Sequence, residues 1–285
     1  MTTVQEALWF ATSMLIQKDI PNAAGDARHL MAATLGVGKD RVTLHLQDAL
    51  GDIEEAAFFA SILERQDGRP VSHLLGGRDF YDRWFIVNEN VLDPRPETEV
   101  LVQQALSEPF VDVLDLGTGS GAILLTLLAE REDAIGVGID ISETVLDVAS
   151  RNADALGVSV RVHFEVSDWY GGVGGEYDLI VSNPPYIAVD EMPLLQREVQ
   201  QFEPRIALTD EADGLTFYRT IAAGAPLHLR PGGRLMVEIG PTQAAAVSEM
   251  MRQAGLTHIK VIPDLDGRDR VVTGQMAAFE AANPV

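Results

Sequence analysis

The sequence predicts an α/β fold: a mostly parallel, doubly wound sheet of seven strands whose last strand runs antiparallel, preceded by a small helical domain and a β-hairpin linker. Three observations predict it. Apolar residues recur at helical spacing from Val4 to Asp67, two short aromatic-rich extended pieces follow, and beyond Phe110 short apolar runs alternate with helical patterns. The expected organisation is a helical domain at 1–70, a linker at 71–92 and an α/β domain at 93–285.

In the helical domain Val4, Ala7, Leu8, Ala11, Met14 and Leu15 share one helix face, and Ile53, Ala56, Ala57, Ala60, Ile62 and Leu63 form another. Pro21-Asn22 and Leu50-Gly51-Asp52 supply turns and N-caps, and Asp67-Gly68-Arg69-Pro70 closes the last helix. Phe80-Tyr81 and Trp84-Phe85-Ile86-Val87 flank the turn-prone Asp82-Arg83, the pattern of a hairpin. Pro94 and Pro96 stiffen the next segment, and Pro96 can open a helix that continues through Val100, Leu101 and Ala105. Strands are then expected at 111–116, 134–139, 160–166 and 178–182, with helices at 120–130 and 142–156. The chain ends with a strand at 233–239, a helix at 242–254 and strands at 258–262 and 270–273. The link between the last two strands is too short for a parallel crossover, which needs about a dozen residues, so they pair antiparallel.

The 285 residues carry 21 Lys and Arg against 43 Asp and Glu, a formal net charge of −22, and a phosphate backbone would be repelled by that field. The balance disfavours direct nucleic-acid binding without excluding a local basic patch. There are no cysteines, which removes disulfides, thiolate metal sites and a cysteine nucleophile together. The histidines stand apart from one another, and no metal is expected. No basic stretch followed by an apolar run opens the chain, and no long apolar run occurs later, so a cytoplasmic protein without a membrane partner is expected.

Asp115-Leu116-Gly117-Thr118-Gly119-Ser120-Gly121 follows an apolar strand and opens a helix, which lets backbone approach a ligand closely. A tight turn without ligand, or a nicotinamide or flavin dinucleotide site, would also use such glycines. Two features favour S-adenosyl-L-methionine: the spacing is G-x-G-x-G, and the carboxylate of Asp115 would repel a pyrophosphate but attract an ammonium or sulfonium. Asp140, at the end of the next strand, can accept both hydroxyls of a ribose, or else serve as a helix N-cap. Ser167-Asp168-Trp169 would bring a carboxylate to the adenine amino group and an aromatic face to its ring, unless Trp169 is plain core.

Ser182-Asn183-Pro184-Pro185-Tyr186 follows a buried strand at its C-terminal end, where open α/β sheets bind ligands. The stiff Pro-Pro pair holds the Pro184 carbonyl outward, and the Asn183 side-chain oxygen adds a second acceptor. Two fixed acceptors complement the two hydrogens of an –NH2 group, so the expected chemistry is methylation of a planar nitrogen by alignment, without a strong base. Tyr186 is expected to stack on the planar amide.

The chain resembles the PrmC/HemK family of protein-(glutamine-N5) methyltransferases over almost its whole length. The resemblance rests on the glycine turn, Asn183–Tyr186, the block from Arg65 to Leu74, Gly77-Arg78-Asp79-Phe80, and Pro94-Arg95-Pro96-Glu97-Thr98-Glu99. It implies a Rossmann-like class I methyltransferase domain behind a helical domain that helps hold its substrate. That substrate would be a peptide chain release factor, methylated at the glutamine of its Gly-Gly-Gln motif. It further implies that Gly117 to Gly121, Asp140, Trp169 and Asn183 hold the cofactor and that Asn183 to Tyr186 grip the glutamine. Arg95 and Glu97 would then shape the pocket mouth, while Phe80 and Tyr81 would either wall the pocket, in which case Phe80 contacts substrate, or anchor the hairpin. The chain departs from the family at Asp93, where a large apolar residue is usual. A monomer is expected. Rival readings are an exocyclic-amine methyltransferase of nucleic acid, such as an adenine-N6 enzyme, and a non-catalytic module that docks release factors.

Overall fold

In the computed structural model, which describes residues 2–278, the chain forms two compact units. The outer ends of the expected domains, Met1 and 279–285, lie outside the described residues.

One unit runs to Gly77 and takes in Gln196–Phe202 as well. Its helices are α1 (Val4–Ile16), α2 (Ala23–Leu35), α3 (Asp52–Gln66), α4 (Val71–Leu75) and, from the later segment, α8 (Arg197–Phe202). A capping box starts α1: the Glu6 amide donates to Thr3 Oγ1 at 3.2 Å and the Thr3 amide donates back to the Glu6 carboxylate at 2.8 Å. Val4, Ala7, Ala11 and Leu15 of α1 are fully buried, as the spacing requires.

The expected face of α3 is corrected. Ile62 is buried as expected, but Ile53 and Leu63 are exposed, and Phe58 and Arg65 turn inward beside Ile62. The i, i+4, i+7 series that includes Phe58 buries more apolar area than the alanine-rich series beside it, and α3 rotates accordingly. Arg65 is 4% exposed. Its guanidinium reaches the Asp26 carboxylate at 2.7 Å, Glu198 at 2.6 Å and the carbonyls of Gly68 and Arg69, so the buried cation is surrounded by acceptors. Segment 71–75, expected to be extended, is a helical turn started after Pro70 and ended by Gly76 in the left-handed region at φ 71°.

The larger unit, Arg78–Leu195 and the chain from Glu203 onward, begins with a hairpin of β1 (Gly77–Phe80) and β2 (Arg83–Ile86). Its turn is centred on Tyr81 and Asp82, both at positive φ (48° and 59°), one residue earlier than expected. The sheet follows with β3 (Asp112–Leu116), β4 (Ile135–Asp140), β5 (Val162–Val166), β6 (Tyr177–Ser182), β7 (Leu229–Glu238), β8 (Thr257–Pro263) and β9 (Asp269–Gln275), in the order β5-β4-β3-β6-β7-β9-β8. Only β9 runs against its neighbours, pairing antiparallel with both β7 and β8.

Alternation along the strands divides the core. Val113, Leu179, Val181, Met236 and Val271 face one layer with α5 (Glu99–Leu106) and α6 (Ala122–Glu130). Leu114, Ile180, Leu235, Val237 and Val272 face the other with α9 (Thr216–Gly224) and α10 (Ala244–Gln253). Strand order reverses between β3 and β6. Two connections diverge there and leave a crevice at the C-terminal ends of the strands.

Candidate active site

A cavity of about 360 Å3 opens at that crevice. Its floor is the turn after β3, where Gly117, Gly119 and Gly121 have φ of 71°, 57° and 82°. Other residues adopt such angles only at a cost, and a Cβ on Gly121 would also lie 2.7 Å from Leu125. Gly117, Thr118, Gly119 and Ser120 line the cavity; Gly121 stands behind them as the N-cap of α6. The turn is tied to β4 by the Thr118 amide, which donates to the Ile139 carbonyl at 2.8 Å.

Asp140 ends β4 with its carboxylate on the cavity wall. One oxygen accepts from the Gly119 amide at 3.2 Å and the other from the Ser142 amide at 3.1 Å. Burial raises its pKa, against the pull of those amides. Asp168 and Trp169 line the adjoining wall, with the Trp169 ring 4.9 Å from that of Phe217. Trp169 sits at φ 51°, a conformation costing a bulky residue about 1–2 kcal/mol. The Ser167 hydroxyl, which donates to the Trp169 carbonyl and accepts from the Gly172 amide, steadies this turn.

Across the cavity, Asn183 and Pro185 extend from β6. The Ser182 hydroxyl donates to the Leu116 carbonyl at 2.6 Å, stitching β6 to β3 where the two motifs diverge. Arg95 also lines the cavity, and one of its guanidinium nitrogens contacts both oxygens of the buried Glu203 carboxylate, at 2.5 and 2.7 Å. Burial opposes the charge on Arg95, but Glu203 overcomes this and raises its pKa.

Several expected site residues stand back from the cavity. Asp115 is fully buried beneath the glycine turn, where it accepts from the Thr118 hydroxyl at 2.7 Å; its other oxygen has no hydrogen bond among the described residues. Burial pushes its pKa up to about 7. Tyr186 packs against the α9 and α10 layer, and its backbone carbonyl accepts from the Gln243 side chain at 2.8 Å. Tyr186 does not line the cavity, as the expected stacking on an amide would require. Pro184 is buried and Glu97 is exposed, neither of them lining the cavity. Phe80 is 1% exposed, meets Phe85 edge to face at 5.9 Å and packs within the hairpin, away from the cavity lining.

The chemistry of this lining fits S-adenosylmethionine. Asp140 offers a carboxylate for ribose hydroxyls, Trp169 and Phe217 offer aromatic faces for a purine, and a glycine turn leaves room for an amino-acid tail over a buried carboxylate. Among the described residues no cluster of His, Cys, Asp or Glu could hold a metal ion, and no helix is long and apolar enough to cross a membrane.

Comparison with known proteins agrees with this geometry. A family model described as the PrmC N-terminal domain matches residues 6–76, and one described as the methyltransferase small domain matches 89–201. A release factor glutamine methyltransferase from Cereibacter sphaeroides is 50% identical over 273 residues, covering 96% of this chain and 98% of its own. The chain belongs to the release factor glutamine methyltransferase family. Another member, from Caulobacter vibrioides, is 41% identical over 285 residues, 98% of each chain. The crystal structure of a methyltransferase from Pyrococcus furiosus shares the fold, with a TM-score of 0.53 at 18% identity over 70% of this chain and 91% of that one.

For this member of the family, sequence reasoning missed the residues that hold the site in shape. Glu203 pairs with Arg95. Asn152, fully buried on α7 (Glu143–Ala155), accepts from the Ile86 amide at 2.8 Å and donates to the carbonyls of Ile86 and Ser120. Asp93, at the departure from the family pattern, is 4% exposed and pairs with Arg78 at 3.5 Å. These are lone polar residues in apolar surroundings, and spacing carries no signal for them.

Proposed function

We propose that this chain transfers the methyl group of S-adenosylmethionine to the side-chain amide nitrogen of the glutamine in the Gly-Gly-Gln motif of peptide chain release factors. One observation carries the reading. Asn183, just after β6, faces the three-glycine turn just after β3 across a single cavity, in a chain that aligns with the family over nearly its full length.

Bound S-adenosylmethionine supplies an electrophilic methyl group on a sulfonium. Gly117 to Ser120, Asp140, Asp168 and Trp169 are the residues that would hold it. The Asn183 side-chain oxygen, on the cavity wall, accepts from one hydrogen of the substrate –NH2, and the Pro184 carbonyl accepts from the other once the bound glutamine draws the loop backbone inward. Holding both hydrogens turns the nitrogen lone pair out of conjugation and aligns it for displacement. No strong base is required, because the proton is lost after the nitrogen has become positively charged. Arg95, held by Glu203, borders the substrate's approach, and the helical unit helps hold the release factor. The reading implies a monomer working in the cytoplasm, with no direct nucleic-acid partner.

The test supplies methyl-labelled S-adenosylmethionine with a release factor, the same factor with its loop glutamine replaced, and nucleic acid, each separately. Label on the intact factor alone is expected. Label on nucleic acid, or equal label on the glutamine-replaced factor, overturns the reading.

A further inference from the structure

Asn183 and Glu238 stand at the ends of the neighbouring parallel strands β6 and β7. Ser182 is in register with Val237, so each is the next residue beyond the last paired rung. Thr98 stands beside both of them, 4% exposed, at the end of the 3-10 turn Pro96–Thr98. Asn183 Nδ2 lies 3.3 Å from Thr98 Oγ1, and the Thr98 side chain neighbours the Glu238 carboxyl, favouring its charged form. We propose that Glu238, acting through the Thr98 hydroxyl, is a positioning residue that fixes which end of the Asn183 amide faces the cavity. The proposal rests on the reading of Asn183 as an acceptor for a substrate –NH2.

Donor and acceptor polarity sets the orientation of the Asn183 amide. An ionised carboxylate only accepts, so it takes the single proton of the Thr98 hydroxyl. The Thr98 oxygen is then left to accept, and the group that fits it is the NH2 end of Asn183. The oxygen end of Asn183 is thereby turned away from Thr98 and remains available to the substrate. A protonated Glu238 reverses each bond: it donates to Thr98, Thr98 can donate to the Asn183 oxygen, and the amide can present NH2 to the cavity. Donor would then face donor. The ionised form of Glu238 is thus the working form.

Glu238 is 1% exposed, and its Oε2 has no hydrogen bond among the described residues. Such a group has no evident structural reason to be a carboxylate, since burying it is costly. Around it stand Arg270 of β9, Arg95 and Glu97 before α5, Tyr186 after β6 and Tyr218 of α9. The arginines favour its charge and Glu97 opposes it; burial, the largest influence, pushes the carboxyl up to about 7. Burial also pushes Tyr186 up to about 12 and Tyr218 well above its ordinary value, so neither phenol titrates near neutrality.

Methyl transfer to a release factor is measured from pH 6 to 8.5 for the wild type and for Thr98→Val, Thr98→Ser and Glu238→Gln, with cofactor affinity measured separately. The wild-type kcat should fall as pH drops through about 7. Thr98→Val should lose about tenfold or more in kcat, with S-adenosylmethionine affinity within about twofold and this pH dependence gone. Thr98→Ser, which keeps the hydroxyl, should restore both rate and profile. Glu238→Gln, able to present either end of its amide, should be slower and insensitive to pH in this range. A Thr98→Val enzyme with wild-type kcat and profile, or a Thr98→Ser enzyme as slow as Thr98→Val, overturns the relay alone. A wild type that does not label the factor overturns the proposed function and the relay with it.

Discussion

Asn152→Leu tests the internal bracing of the cofactor turn. The wild-type side chain is fully buried and satisfies three backbone groups: the Ile86 amide at 2.8 Å, the Ile86 carbonyl at 3.1 Å and the Ser120 carbonyl at 2.8 Å. Leucine has a similar shape and no polar atoms, so it leaves three buried groups unsatisfied. Each such group costs about 1–3 kcal/mol, and because all three share one side chain their sum is discounted to about 3–5 kcal/mol. With a urea slope of about 2 kcal/mol/M, the unfolding midpoint should fall by about 2 M. Trp84 and Trp169 both belong to the larger unit and report its unfolding by fluorescence. The variant should also bind S-adenosylmethionine less tightly, because Ser120 lines the cavity. Asn152→Asp separates polarity from packing: at pH 8 its carboxylate would face the two carbonyl oxygens, and it should destabilise at least as much as leucine. A midpoint shift below about 0.5 M for Asn152→Leu, or an Asn152→Asp protein as stable as the wild type, would refute the reasoning.

Two further outcomes follow from the site. Asn183→Ala should slow methyl transfer by about a hundredfold while leaving cofactor affinity much less changed; an equal loss in both would make Asn183 a cofactor or structural residue. Asp115 has a folded-state pKa raised by burial to about 7, above the roughly 3.9 of an unfolded carboxyl. Its contribution to stability is therefore full below about pH 4 and lost as pH rises through about 7. Asp115→Asn cannot ionise but can still accept from Thr118. Without ligand its thermal midpoint should gain on the wild type between about pH 5 and 8, with weaker cofactor binding; a constant difference across that range contradicts the assignment.

The seven-strand sheet was legible because buried strands are written as short, mainly apolar runs, such as Val113-Leu114 and Leu179 to Val181, with a glycine or proline soon after each, at Gly117 and Pro184. The two catalytic-end motifs were legible for the same reason, since they sit at strand ends and use residues with special backbone properties. The α3 face was misread because alanines count as apolar yet bury little, and Phe58 outweighs them. The α9 region from 216 to 224 and the loop carrying Glu203 had no expected assignment; their helices are short and their polar residues matter only once burial isolates them. Tyr186 was expected near substrate, and Phe80 either there or in the hairpin, because aromatics beside a motif read equally well as binding platforms or as core. Only packing separates the two.

The buried Arg65 has a consequence for how the chain can be divided. Of its two carboxylate partners, Asp26 is encoded within the helical unit, but Glu198 is encoded about 130 residues later, shortly after the Asn183–Tyr186 motif. A gene fragment ending near Gly77 would lose Glu198, and one beginning at Arg78 would carry the segment Gln196–Phe202 without the unit it belongs to. The helical unit is thus not a cassette that can be cut off, grafted or exchanged at a single junction. Any chimaera between relatives must carry both stretches from the same parent.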